Sequence, residues 1–278
     1  MKKNIIKEIL LLAVATFCLF ALAACGNSQV SSNKEKTVKI GVTGSDDRVW
    51  NAVAKKVKKE GINIKIVEFS DYNQPNTALQ QGEIDLNSFQ TLTFQNDWNK
   101  KHKTNIVSIG STVIAPMALY SKKVTSLSEI KSGDKIAIPN DATNEGRGLQ
   151  LLASAGLIKL DNAKIPTLKD ITENKLNLKI SALDAAQTAK SLDDVTASAV
   201  NSGVASDAKL DLKKAIYREK VTAKSKPYVN IISANAKDKN NATYKKIVKA
   251  YQSEDIAKEI KKDYNGYESP AWNYKVLN

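Results

Sequence analysis

Arg147 is one of only three arginines among the 42 basic residues of this 278-residue chain. A planar guanidinium can hold a carboxylate through two parallel hydrogen bonds, which a lysine point charge cannot. Arg147 follows Asn144 at the start of a predicted helix, where free backbone N–H groups and the helix dipole favour an anion. Asn144, Asn201 and Asn230 could supply the complement. An ammonium group needs acceptors, and an asparagine offers a carbonyl oxygen without adding charge. Each of the three lies at or just after a predicted strand end or helix start, where a cleft would open. The chemistry these residue types suggest is the grip of a small zwitterion. Plainer uses stay open: Arg147 could pair with Asp141 or Glu145, and an asparagine in such a place also serves as a turn or cap residue.

Other chemistry finds little support. The single histidine, His102, sits in a lysine-rich surface stretch, Asn99-Lys100-Lys101-His102-Lys103. Two cysteines, Cys18 and Cys25, cannot build a disulfide framework or a thiolate cluster. No nucleophile–base pair, glycine-rich phosphate loop or supported carboxylate pair is visible. We therefore expect no catalysis, no metal and no cofactor.

The elements that must position Arg147 and the asparagines follow from periodicity. Strands are predicted at Thr37–Thr43, Ile62–Phe69, Ile84–Asn87, twice within Ile106–Tyr120, and at Lys135–Pro139, Leu178–Leu183, Thr196–Val200 and Tyr228–Ala234. Helices are predicted at Asp47–Lys59, Pro75–Gln81, Thr91–His102, Asn144–Ala155, Asp184–Leu192, Asn241–Tyr251 and Glu254–Tyr264. Pro75 near a helix start and Gly82 just past its end show the expected asymmetry. Such alternation implies α/β layers with parallel strands. Polar breaks at Ser121–Ser132 and Lys220–Pro227 suggest two lobes joined by two crossovers. One lobe would comprise residues 37–117 plus 235–278 and the other residues 118–234, with a ligand cleft between them.

The first segment reads as an address rather than as fold. Lys2, Lys3 and Lys7 precede an apolar run from Ile9 to Ala23, which ends in Leu22-Ala23-Ala24-Cys25. That tetrapeptide resembles the lipobox of bacterial lipoproteins, in which the signal is cut before the cysteine and the thiol is acylated. Residues 1–24 would then be a signal peptide, Cys25 the lipidation site, and residues 25–36 a polar tether. Losing residues 1–24 leaves 254 residues and lowers the net charge from +13 to +11. The lysines are spread over helical faces such as Lys55, Lys56, Lys58 and Lys59, without arginine–aromatic interleaving. No nucleic-acid partner is expected.

Several blocks carry a family pattern. They are Asp71-Tyr72, Pro75-Asn76-Thr77-Ala78-Leu79, the run Gly82 to Gln90, the run Ile138 to Arg147, Leu183-Asp184-Ala185-Ala186-Gln187 with Leu192-Asp193-Asp194-Val195, Tyr228 to Ile232, Ala250 to Ser253, and Pro270-Ala271-Trp272. Across about residues 37–272 the chain resembles the NlpA/MetQ family, the methionine-binding lipoproteins of bacterial ABC importers. The resemblance implies an α/β, two-lobed periplasmic-binding-protein fold of type II-like form. It implies ligand contacts from Arg147, to the amino acid's carboxylate, and from Asn144, Asn201 and Asn230. Tyr72, Phe89 and Phe94 would form an apolar slot for the side chain, with Trp50 a further candidate, although Phe89 and Phe94 could equally be core. Asn76 and Asn87 read as structural. The implied partners are an amino-acid ligand, the permease and ATPase subunits of an importer, and the membrane through a lipid anchor. The protein would act as a monomer on the extracytoplasmic side.

Two departures bear on the ligand. The family's Phe-Gln-His with a tyrosine three residues later is here Phe89-Gln90-Thr91 and Phe94. Its Asn-Gly-Asn-Tyr-Ala is here Asn201-Ser202-Gly203-Val204-Ala205. The main-chain clamp is kept while the side-chain pocket changes, the pattern expected if the ligand were another amino acid or a short peptide; methionine or a close analogue is the ligand that the resemblance itself implies. A surface adhesin or immunomodulatory lipoprotein with a vestigial cleft is the alternative from another class.

Overall fold

The computed structural model describes residues 36–44, 47–264 and 266–273. The signal segment, Cys25 and the tether up to residue 35 lie outside the described residues.

The chain enters at β1 (Lys36–Thr43), followed by α1 (Arg48–Lys58) and β2 (Ile62–Phe69). In α1, Val49, Trp50, Val53 and Val57 recur at helical spacing and form its buried stripe, while its lysines face water. Then come α2 (Gln74–Gln81), β3 (Leu86–Asn87), α3 (Leu92–His102) and β4 (Ile106–Ile114). Gly82 closes α2 at φ 78°, the left-handed cap that glycine adopts without strain.

After β4 the chain crosses into β5 (Ala118–Tyr120), β6 (Lys135–Pro139), α4 (Ala142–Ser154), β7 (Lys159–Leu160), β8 (Ile171–Glu173) and β9 (Lys179–Leu183). It continues through α5 (Ala185–Thr188), β10 (Ala197–Val200), α6 (Ser202–Asp207) and β11 (Tyr217–Arg218). It returns through β12 (Val229–Asn235), α7 (Ala242–Tyr251), α8 (Glu254–Tyr264) and β13 (Ser269–Pro270).

Two main sheets result. One runs β13-β4-β12-β3-β1-β2 and the other β11-β5-β10-β6-β9, with β7 and β8 as a separate pair. Each has its own apolar core. Ile40, Val53, Leu86, Ile232 and Ile247 belong to the first, and Leu119, Ile136, Leu149 and Leu152 to the second. Two cores, two sheets and two passages between them make the two-lobed α/β architecture.

Three expectations change. Residues 229–234, expected in the second lobe, belong with the first sheet, because β12 pairs with β4 from Val229↔Ile114 to Asn235↔Ile106. An apolar strand reads the same whichever sheet receives it, and its partner is more than a hundred residues away. Parallel pairing holds for β1 with β2 and β3, and for β6 with β9 and β10. Strands beside the crossovers are antiparallel: β12 with β3 and β4, and β5 with β10 and β11. Finally, the helix expected over Asp184–Leu192 is a single α turn followed by a 3₁₀ turn, Lys190–Asp193.

Candidate functional site

The N-terminus of α4 builds the clamp from local rules. Asp141 is the N-cap: its Oδ1 accepts from the Asn144 backbone N–H at 3.0 Å. Both its carboxylate oxygens also accept from Asn144 Nδ2, at 3.0 and 2.9 Å. Glycines flank Arg147 because the helix packs too closely for side chains. A Cβ on Gly146 would lie 3.0 Å from the Pro166 carbonyl oxygen, and one on Gly148 3.2 Å from Ile138 Cβ. The close approach carries Arg147 inward, where it is only 5% exposed.

The hydrogen bonds of the clamp run in one direction. An ionised Asp141 carboxylate can only accept, so Asn144 must present Nδ2 to it and Oδ1 away from it. Asn144 Oδ1 then accepts from Asn201 Nδ2 at 2.8 Å. Asn201 is thereby forced to turn its own Oδ1 elsewhere, and that oxygen is buried without any hydrogen-bond partner. A buried acceptor left unsatisfied costs about 1–3 kcal/mol. A donor supplied by a ligand would remove that cost. Burial, the dominant influence, raises the Asp141 pKa above the ordinary carboxylate range, against the hydrogen bonds from Asn144 and Thr143 that lower it.

Arg147 does not pair with Asp141 or Glu145. Its Nε and Nη2 bond Glu219 at 2.5–3.2 Å, and Nη2 also bonds the Ala115 carbonyl at 2.9 Å. The guanidinium lies over the Tyr228 ring, 4.7 Å from its centroid. Nη1 makes no hydrogen bond among the described residues. Glu219 and Tyr228 were invisible as partners in the sequence, being 72 and 81 positions away, and only the fold brings them in.

A cavity of about 120 Å³ opens between the lobes, and all seven expected residues line it: Tyr72, Phe89, Phe94, Asn144, Arg147, Asn201 and Asn230. Trp50 lines it as well. Tyr72, Phe89 and Phe94 form an aromatic triad with centroids 5.7–6.3 Å apart. Burial, with Asp141 and Asp207 nearby, raises the Tyr72 pKa, so its hydroxyl stays neutral. Asn230 extends its side chain without a hydrogen-bond partner among the described residues, and its backbone bridges to Thr91. Thr91 caps α3 by accepting from the Phe94 N–H at 3.2 Å. Gln90 and Thr112 also line the cavity and were not singled out from sequence. His102 is exposed and stacks on Trp98 at 3.8 Å, away from the cavity. Among the described residues no cluster could hold a metal ion, and no helix is long and apolar enough to cross a membrane.

A cavity between two α/β lobes, with a cationic grip on one wall and aromatic rings on the other, defines a two-lobed ligand-binding protein. Comparison with known proteins narrows this. Residues 38–272 match the NlpA lipoprotein family. The D-methionine-binding lipoprotein MetQ of Salmonella typhi is 40% identical over 259 residues, spanning 91% of this chain and 93% of that protein. The substrate binding protein of a methionine transporter from Streptococcus pneumoniae is 42% identical, with a TM-score of 0.82 over 85% of this chain and 96% of that one. A nutrient binding protein from Burkholderia cenocepacia, bound to methionine, is 43% identical, with a TM-score of 0.80 over 84% and 99%. The chain belongs to the NlpA lipoprotein family.

Proposed function

We propose that this protein is the substrate-binding component of an ABC importer and captures methionine or a close analogue. One observation carries the reading: Asn201, whose Oδ1 is a buried acceptor with no partner, lines the same cavity as Arg147. A free amino acid supplies both missing groups. Its carboxylate would meet the open Nη1 edge of Arg147, and its ammonium would meet Asn201 Oδ1, with Asn144 and Asn230 completing the clamp. The thioether would lie against Tyr72, Phe89 and Phe94, where sulfur–aromatic contact adds about 0.3–1.5 kcal/mol. The relatives described above, named for methionine binding and methionine transport, support this choice.

In this proposal Cys25, lipidated after removal of residues 1–24, holds a monomer on the outer face of the cell membrane. The loaded protein would dock on permease and ATPase subunits, and it would bind its cargo without altering it. A thermal-shift screen of L- and D-amino acids and dipeptides tests the reading. At a hundredfold excess over Kd a ligand stabilises by about 2.7 kcal/mol, or roughly 5–10 °C for a chain of this size. Methionine should give such a shift. No shift with any amino acid or dipeptide would overturn the assignment.

A further inference from the structure

Glu219 holds more than Arg147. Its Oε2 accepts the Arg147 Nη2 bond and also the Met117 backbone N–H at 3.0 Å. Arg147 Nη2 in turn reaches the Ala115 carbonyl at 2.9 Å. Ala115 and Met117 lie on the outgoing crossover between β4 and β5, and Glu219 lies on the returning one between β11 and β12. One carboxylate thus ties the guanidinium to both passages that join the lobes. Tyr228, on the return passage, lies against the guanidinium and donates its hydroxyl to Gln150 Oε1 at 3.0 Å. The ion pair is secluded, with Arg147 5% and Glu219 20% exposed.

This arrangement has an electrostatic consequence for the ligand. A guanidinium that already holds one carboxylate has little net charge left to offer a second. An incoming carboxylate on the Nη1 edge is attracted by Arg147 and repelled, from across the guanidinium, by Glu219 on the Nε–Nη2 edge, and seclusion from water strengthens both effects. A zwitterion offsets the repulsion with its own ammonium, which also satisfies Asn201 Oδ1. A bare monocarboxylate does neither.

We propose that Glu219 is a positioning residue that fixes Arg147 to the two crossovers and makes the clamp select zwitterions over simple carboxylates. The proposal rests on the amino-acid reading of the cavity, so its test compares two ligands on one protein. L-methionine and its des-amino analogue, which keeps the carboxylate and thioether but has hydrogen in place of the ammonium, are titrated calorimetrically into the full chain and its variants. Wild type should bind methionine and strongly disfavour the analogue. Glu219→Gln should weaken methionine about tenfold, through loss of a charge-assisted anchor, and should reduce the discrimination between the two ligands by a similar factor. Glu219→Asp keeps the charge with a shorter reach, so it should weaken methionine yet keep the discrimination. An equal loss for both ligands in Glu219→Gln would reduce Glu219 to scaffold and overturn the proposal. If that variant does not fold, loss of discrimination in Glu219→Asp overturns it instead. A wild type that binds neither ligand overturns the amino-acid reading itself, and this proposal with it.

Discussion

Two groups of secluded polar side chains reach the cavity, and they differ in completeness. In the first lobe Asn76, Asn87, Gln90, Gln95 and Ser233 are all at most 3% exposed. Asn76 Nδ2 donates to Gln90 Oε1 at 2.8 Å, and Asn76 Oδ1 accepts from Asn87 at 2.9 Å and from Gln90 at 2.8 Å. Gln90 also donates to Asn87 Oδ1 and to Ser233 Oγ, and Ser233 donates to Gln95 at 2.8 Å. No buried polar side-chain atom of this network lacks a partner. In the second lobe the relay from Asn201 through Asn144 to Asp141 ends in an acceptor with nothing to accept from. The first network is closed; in the proposal made above, the open acceptor of the second is left for a ligand's donor. Residue type does not separate the two groups, since both are built from amides. The count of satisfied atoms does.

Substitutions on either side should therefore fail in different ways. The largest effect is expected from Arg147→Ala. It removes the carboxylate grip and should weaken methionine binding on the order of a hundredfold or more. It also leaves Glu219 buried without its partner, at a cost of about 3 kcal/mol in stability. Calorimetry and urea unfolding on the same sample would separate the two losses. Next is Asn76→Leu, which leaves Gln90 Oε1 without its donor and takes one acceptor from the amides of Asn87 and Gln90. Stability should fall by roughly 3 kcal/mol, or about 6–12 °C in Tm, while the folded protein keeps its affinity. A large loss of affinity at unchanged Tm would break the contrast.

Asn201→Leu should do the reverse. Affinity should fall about tenfold, because the ligand's ammonium loses its acceptor. Apo stability should change by less than about 1 kcal/mol, because losing the Nδ2 bond to Asn144 Oδ1 is offset by removing a buried oxygen that had no partner. The smallest effect concerns pH. Burial raises the Asp141 pKa in the fold above its unfolded value. Its contribution is then fully present below the ordinary aspartate range and is lost as pH rises through the elevated pKa. Across that acidic window the urea midpoint of wild type relative to Asp141→Asn should fall as pH rises, whatever trend the carboxylates held low, such as Asp255, impose on both proteins.

Local signals in the sequence carried much of the outcome. Valine spacing marked α1, Pro75 and Gly82 bracketed α2, and Asn241 announced α7, which it caps by accepting from Thr243 and Tyr244. All seven expected contact residues line one cavity, since short motifs at strand ends and helix starts gather wherever strand ends face each other. What escaped depended on distant partners. Glu219 is an ordinary glutamate in sequence, and only the second crossover brings it to Arg147. Residues 229–234 changed lobe for the same reason. The short elements β7, β8, α6, β11 and β13 carry too few residues to show a period. The unsatisfied oxygen of Asn201 has no sequence signature, because it exists only once Asn144 and Asp141 have fixed the direction of the relay.

A crystal structure of the protein with bound methionine would decide how the clamp is used. The ligand's carboxylate should lie on the Nη1 edge of Arg147 and its ammonium nitrogen within hydrogen-bonding distance of Asn201 Oδ1. A ligand seated elsewhere, or one that leaves that oxygen still without a donor, would contradict this arrangement.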